Sequence, residues 1–102
     1  MIHHVALETR PDDVGAEVAW WARLGFARVE PPASLRDRAV WVERDGVSIH
    51  LLLSDAPRLG GHVALVTPWP PPVEHEPRTA HWGVPRAYAR TPAGHLVELV
   101  AG

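Results

Sequence analysis

The sequence contains no cysteine and no lysine, and its 102 residues include only one methionine, one phenylalanine and one tyrosine. Without cysteine there are no disulfides and no thiolate metal ligands, a composition that fits a reducing compartment. Without lysine, all ten positive charges are arginine. Together with abundant Ala and Pro, this reads as biased genomic composition rather than as function. No apolar run approaches the roughly 18 residues of a membrane-crossing helix, and Met1-Ile2-His3 opens without a basic-then-apolar leader. The expectation is a soluble, cytoplasmic protein with no membrane partner. A formal charge of −2 supplies no basic field for nucleic acid. What is present in quantity is histidine, seven residues in a short chain, so imidazole is the chemistry to follow.

The chain repeats itself. His4-Val5-Ala6-Leu7 recurs as His62-Val63-Ala64-Leu65, and a displacement of 48 positions lays Arg38-Ala39 on Arg86-Ala87, Gly46 on Gly94, Leu51 on Leu99 and His50 on Glu98 without a gap. A repeat this long and this few in number describes two copies of one small module rather than a solenoid. Units of about 50 residues are marginal alone, so the expectation is one domain over 1–102, with module 1 at about 1–54 and module 2 at about 61–102.

Ile2 to Glu8 alternates as a strand, with His4, Ala6 and Glu8 on one face. Thr9 to Asp13 supplies turn and capping residues, and Val14 to Leu24 reads as a helix with Val14, Val18, Trp21 and Ala22 on one stripe and Gly25 as its stop. Phe26 to Glu30 is a short strand ended by Pro31-Pro32. Arg38 to Arg44 and Val47 to Leu53 flank Asp45-Gly46, a strong hairpin signature, and Asp55 to Gly60 is the linker. In the second copy, prolines 68, 70, 71, 72 and 77 exclude a regular helix. The span from His62 to Glu98 is correspondingly ten residues shorter than that from His4 to His50, roughly a three-turn helix. Ala80 to Val84 is read as a short strand, and Arg86 to Arg90 with His95 to Val100 as the second hairpin. Trp69 and Trp82 bracket the proline-rich segment and are expected to pin it by burial.

A single histidine on a strand is ordinarily a hydrogen-bonded structural residue; recurrence is what singles out His4 and His62. With His50 and Glu98 at the middles of the last strands, a pseudo-twofold packing of the modules would bring all four together. Three imidazoles and a carboxylate suit Zn²⁺, Ni²⁺, Co²⁺ or Fe²⁺. Ala6, Ala64, Ala39, Ala87 and Ala89 are expected beside them, leaving a hollow for a small molecule, while Leu7, Leu65, Ile49, Leu51, Val97 and Leu99 form the core on the opposite faces. His3, His75, His81 and His95 are read as solvent-facing or supporting residues.

The paired modules, Trp20-Trp21-Ala22-Arg23-Leu24-Gly25-Phe26 after the helix, and Pro92-Ala93-Gly94-His95-Leu96-Val97-Glu98-Leu99 near the end together resemble the vicinal oxygen chelate superfamily. That superfamily includes glyoxalase I, fosfomycin-resistance enzymes, extradiol dioxygenases and bleomycin-resistance proteins. The resemblance implies an α+β fold of two βαβββ modules, the second with its helix replaced, forming a curved mixed sheet around a cleft. It also implies metal ligands on the first and last strands of each module, at His4, His50, His62 and Glu98, and a homodimer. Three positions depart from the pattern: His50 stands where glyoxalase I commonly has Glu, Thr91 replaces a common Asp, and the second helix is missing.

A divalent metal so held would chelate adjacent oxygens of a substrate, giving a glyoxalase-type lyase or isomerase with Glu98 as the catalytic carboxylate. If Glu98 stays on the metal, Glu8 or Glu43 is an alternative base. His4, His62 and Glu98 alone would instead form a two-His, one-carboxylate triad for Fe²⁺ and dioxygen. A third reading is a metal-free binder of the bleomycin-resistance type. Trp41, Arg38 and Arg86 are candidate substrate-binding residues, with core packing for the first and surface salt bridges for the other two as the alternatives.

Overall fold

In the computed structural model, which describes residues 2–102, the chain forms eight strands and one α-helix. Strand β1 is Val5–Thr9; a 3₁₀ turn over Pro11–Asp13 leads into helix α1, Val14–Arg23. Strands β2 (Ala27–Val29), β3 (Ala39–Arg44) and β4 (Val47–Leu53) complete module 1. Module 2 consists of β5 (Val63–Thr67), β6 (Glu76–Arg78), β7 (Arg86–Arg90) and β8 (Leu96–Ala101). Each module is a four-stranded mixed sheet, in the orders β1-β4-β3-β2 and β5-β8-β7-β6. The first and last strands of each run parallel and the others antiparallel.

Helix α1 follows from its sequence, but its buried stripe is displaced from the expected one. Glu17, Trp20 and Trp21 are its buried residues, while Ala22 is exposed. Glu17 has no solvent exposure. Its Oε2 accepts from Trp21 Nε1 at 3.1 Å, and its Oε1 accepts from the backbone N–H of Ala93, between β7 and β8, at 2.7 Å. Arg44 makes a second bridge between the modules, donating through Nη1 to the Leu24 carbonyl at 3.0 Å and through Nη2 to the Val66 carbonyl at 2.8 Å.

One contiguous core results, holding Trp20 and Trp21, then Val42, Ile49 and Leu51 of module 1, and Leu65, Val97 and Leu99 of module 2. The proline-rich segment contributes Val73, 4% exposed, with Trp69 packed against the same cluster. Trp82 does not pin it; that ring is 63% exposed. The second strand of module 2 is also not at Ala80 to Val84, which holds turns and bends, but at Glu76–Arg78. There Pro77 is tolerated because β6 lies at the sheet edge.

The two hairpins differ by one residue at their tips. Arg44 and Val47 close a two-residue turn in which Asp45 and Gly46 both have positive φ, 49° and 79°. In module 2 the Thr91 N–H donates to the His95 carbonyl at 2.9 Å around a three-residue loop, with Gly94 at φ 92°. Thr91 Oγ1 also accepts from the His95 N–H at 3.1 Å. The extra residue moves β7 by one position relative to the ungapped alignment of the repeats, and alternation then turns every side chain of β7 to the other face. Trp41 pairs with His50 and Tyr88 pairs with Glu98, so Arg86 corresponds to Ala39 rather than to Arg38. Ala87 and Ala89 therefore lie on the core face with Leu99 and Val97, not beside Glu98.

Glu8 anchors the linker between the modules. Its Oε2 accepts from Arg58 Nε at 2.8 Å and its Oε1 from the Arg58 backbone N–H at 3.2 Å. These bonds hold its carboxyl below the usual value of 4.5, so the stabilisation is complete above 4.5 and is lost as pH falls through the folded-state value. Glu8→Gln is expected to lower the melting temperature at neutral pH, with the gap to the parent protein closing on acidification in parallel thermal melts. Glu17→Ala strands two buried donors and should cost about 2–4 kcal/mol in urea unfolding, whereas Glu17→Gln, which keeps one acceptor oxygen, should cost less.

Candidate functional site

Strand alternation and the shifted hairpin put a distinct set of side chains on the face of each sheet that points away from the core. On module 1 these are Trp41 and His50, directly paired, with Ala39, Ala6 and, just before β1, His4. On module 2 they are Tyr88 and Glu98, likewise paired, with Arg86, Ala64 and, just before β5, His62. His4 and His62 occupy equivalent places, each two residues ahead of the residue that pairs with the last strand's His50 or Glu98.

The module 1 group is a stack of rings. The His50 imidazole lies 3.9 Å from Trp41 at an interplanar angle of 3°, and 4.0 Å from His4 at 17°. His50 Nε2 lies 3.0 Å from Ser48 Oγ, and His4 Nδ1 lies 3.0 Å from His3 Nδ1. Burial first, then the nearby charges of His4 and His3, push the His50 pKa below 6.5, so its ring is held neutral. Trp41 Nε1 is buried with no hydrogen-bond partner.

The module 2 group is organised around a carboxylate. Glu98 is 5% exposed. Its Oε1 lies 3.1 Å from His62 Nε2, and its Oε2 lies 3.5 Å from Arg86 Nη1 but has no hydrogen-bond partner. Arg86 is itself buried, donating through Nε to the Thr79 carbonyl at 3.0 Å, and its guanidinium lies over the rings of Tyr88 at 5.2 Å and Trp82 at 5.3 Å. Beside these residues, Tyr88, Leu96 and Arg90 line a cavity of about 470 Å³ whose rim, Glu74 to Glu76, belongs to the proline-rich segment and β6.

His4 and His50 are thus brought together, and so are His62 and Glu98, but the two pairs do not meet within one chain. Among the described residues, no group of three or more metal-capable side chains is assembled. Arg86 stands beside Glu98, Trp41 against His50, and Arg38 is exposed and outside both groups. Tyr88 went unnoticed in the sequence because the ungapped repeat put Ala89 opposite Trp41; pairing the strands outward from a three-residue Pro92–Gly94 loop finds it. Of the two places expected for His95, solvent-facing or supporting, the first does not hold: the residue is buried, 6% exposed.

Solved structures fix the architecture. A protein assigned to the glyoxalase family from Bacillus anthracis superposes with a TM-score of 0.83 at 18% identity, over 100% of this chain and 94% of that one. The chain has the vicinal oxygen chelate fold. Lactoylglutathione lyase from Agrobacterium tumefaciens matches this fold with a TM-score of 0.72 at 20% identity, covering 100% of this chain and 93% of that one. A fosfomycin resistance protein from Listeria monocytogenes matches with a TM-score of 0.74 at 17% identity, covering 100% and 93%. A mutant of the latter was crystallised with Mn(II) and 1S,2S-dihydroxypropylphosphonic acid. No family profile matches the sequence, and no curated protein does. The vicinal oxygen chelate fold is therefore visible here through structure at low identity.

The depressed His50 pKa has a direct readout. Because the unfolded chain protonates this imidazole more readily, His50 erodes stability as pH falls below 6.5, the full penalty being reached below its folded-state value. In an NMR titration of the imidazole C2–H signals, His50 is expected to titrate below 6.5 and to move back toward it in Trp41→Ala, which opens the ring to water.

Proposed function

We propose that the protein is a small metal-dependent enzyme of the glyoxalase type, acting on a metabolite that presents two adjacent oxygen atoms. In this reading it works as a homodimer in which module 1 of one subunit faces module 2 of the other. The observation that carries the proposal is the contact between His62 and Glu98. Donors held at ~2.0–2.2 Å from one ion at neighbouring coordination positions lie about 3–3.5 Å apart, and His62 Nε2 and Glu98 Oε1 are 3.1 Å apart. The donor set fits a divalent ion in chemistry as well, since imidazole and carboxylate are ordinary ligands of such ions. Since the chain keeps its two donor pairs apart, a twofold dimer is the arrangement that would bring His62 of the partner subunit and Glu98 of the partner subunit opposite His4 and His50.

A divalent ion bound there would polarise the substrate oxygens as a Lewis acid. The side chains of the chain have their own parts. Arg86 Nη1 lies 3.5 Å from Glu98 Oε2 and balances its charge, and in this reading Glu98 is the carboxylate that takes a proton from carbon next to a carbonyl. Trp41 and Tyr88 form walls, and Ala6, Ala39 and Ala64 leave room between them. A cavity of about 470 Å³ beside Tyr88 is of metabolite size.

A second reading, a ligand binder without metal, draws on two contacts: Arg86 already balances the charge of Glu98, and Ser48 already engages His50 Nε2. Elemental analysis of the purified protein separates the two. The enzyme reading expects stoichiometric divalent metal, its loss in both His4→Ala and His62→Ala, and its partial return when the two variants are mixed and allowed to exchange subunits, since a mixed dimer regains one complete site. Absence of metal from the parent protein after reconstitution with Zn²⁺, Ni²⁺, Co²⁺, Mn²⁺ and Fe²⁺ would overturn it in favour of the binder.

A further inference from the structure

Strand pairing puts Arg78 of β6 directly beside Arg86 of β7, on the same face as Arg90. Arg78 and Arg90 are exposed; the first lies 3.7 Å from Glu76 Oε1 and the second donates to the Gly94 carbonyl at 3.0 Å. Of the three, only Arg86 is buried, at 8% exposure, and only Arg86 stands beside Glu98.

The Arg86 guanidinium is held at one edge and over its faces. Nε donates to the Thr79 carbonyl at 3.0 Å, and Cζ lies over the rings of Trp82 and Tyr88 at 5.3 and 5.2 Å. Nη1 is 3.5 Å from Glu98 Oε2, which accepts no hydrogen bond. Among the described residues neither Nη1 nor Nη2 is hydrogen-bonded. Neither is sealed from solvent, for the buried side-chain atoms without a partner are Trp41 Nε1, His95 Nε2 and Glu98 Oε2. The open end of the fork is therefore free to take a partner from outside the chain.

The consequence is one of charge. A guanidinium stays protonated at any working pH, and here it cancels Glu98 before an ion arrives. A divalent ion taken up by Glu98 and His62 would bring two positive charges into a place already neutral. The clamped guanidinium could not swing away to relieve the repulsion, which a partly dry site screens poorly. A ligand carrying negative charge removes it. By linkage, each of the two must then strengthen the binding of the other by the same factor. The proposed function asks for two adjacent oxygen atoms, and Arg86 asks that one of them be anionic. A 2-hydroxy carboxylate meets both conditions in few atoms, and its planar carboxylate matches the guanidinium fork.

We propose, on the basis of the metal reading of this same site, that Arg86 makes the divalent ion and a chelating 2-hydroxy acid bind as a pair, each weakly alone and both firmly together. Mn²⁺ is titrated into chelator-treated protein and followed by the loss of the free-ion electron paramagnetic resonance signal. The titration is made alone, with glycolate, and with ethylene glycol, which has the two oxygens and no charge; blanks without protein correct for the complexes in solution. Glycolate is expected to tighten Mn²⁺ binding about fivefold or more, a coupling of ordinary size, and ethylene glycol to leave it unchanged. Arg86→Met is expected to bind Mn²⁺ alone about fivefold or more tightly than the parent does, with a smaller gain from glycolate. Arg10→Gln removes the same charge from an exposed side chain outside both groups and should behave as the parent. If Arg86→Met does not fold, as its amide spectrum would show, the comparison of glycolate with ethylene glycol on the parent protein decides alone. No gain with glycolate, an equal gain with ethylene glycol, or Mn²⁺ binding no tighter in a folded Arg86→Met would each overturn the proposal and leave the metal reading standing. Absence of Mn²⁺ binding even with glycolate would overturn it as well, and reconstitution with the other divalent ions then shows whether the metal reading falls with it.

Discussion

A carboxylate with no access to solvent, Glu17, ties the halves of this molecule together by accepting one hydrogen bond from its own helix and one from the loop at the far end of the chain. Burying such a group is costly unless it is fully paired, and here both oxygens are used. The bond from Ala93 fixes where the β7–β8 hairpin begins, and that hairpin carries Arg86, Tyr88 and Glu98. The position of the candidate site on module 2 thus depends on a residue of module 1 that touches none of it.

The same dependence accounts for the missing second helix. A four-stranded sheet must cover one face with something. Helix α1, the only one in the described chain, belongs to a core cluster that includes both sheets, and a short proline-containing segment adds Val73 and Trp69. Segments rich in proline are stiff and lose little conformational entropy on ordering, so this one can cover apolar surface with few contacts and still leave its Glu74 to Glu76 stretch as the rim of a cavity.

Much of this was legible in the sequence, for identifiable reasons. Strand β4 at Val47–Leu53 and helix α1 announced themselves because Asp45-Gly46, Gly25 and the apolar periodicity all act locally. The positions of His4 and His62 followed from the repeat. What stayed hidden was set by distant pairing. Glu17 was invisible as a core residue because its partner lies 76 positions away. Strand β6, Glu76–Arg78, has no apolar alternation and exists through its backbone ladder to β7. Tyr88 and the burial of Arg86 depended on the length of a loop, which composition does not report. Nor did sequence tell that His4 and His50 would form one group and His62 and Glu98 another within the chain.

The unequal hairpin tips bear on how doubled proteins diversify. Strand β7 alternates Arg, Ala, Tyr, Ala, Arg, with alanines small enough to be accepted beneath a sheet and long polar groups suited to the open side. A copy that gains a single residue at its tip therefore exchanges the whole decoration of one strand while its neighbour, bearing Glu98, stays where it was. Descendants of one ancestral half can in this way acquire new ligand preferences through an insertion at the periphery, with no substitution on the surface that changes character.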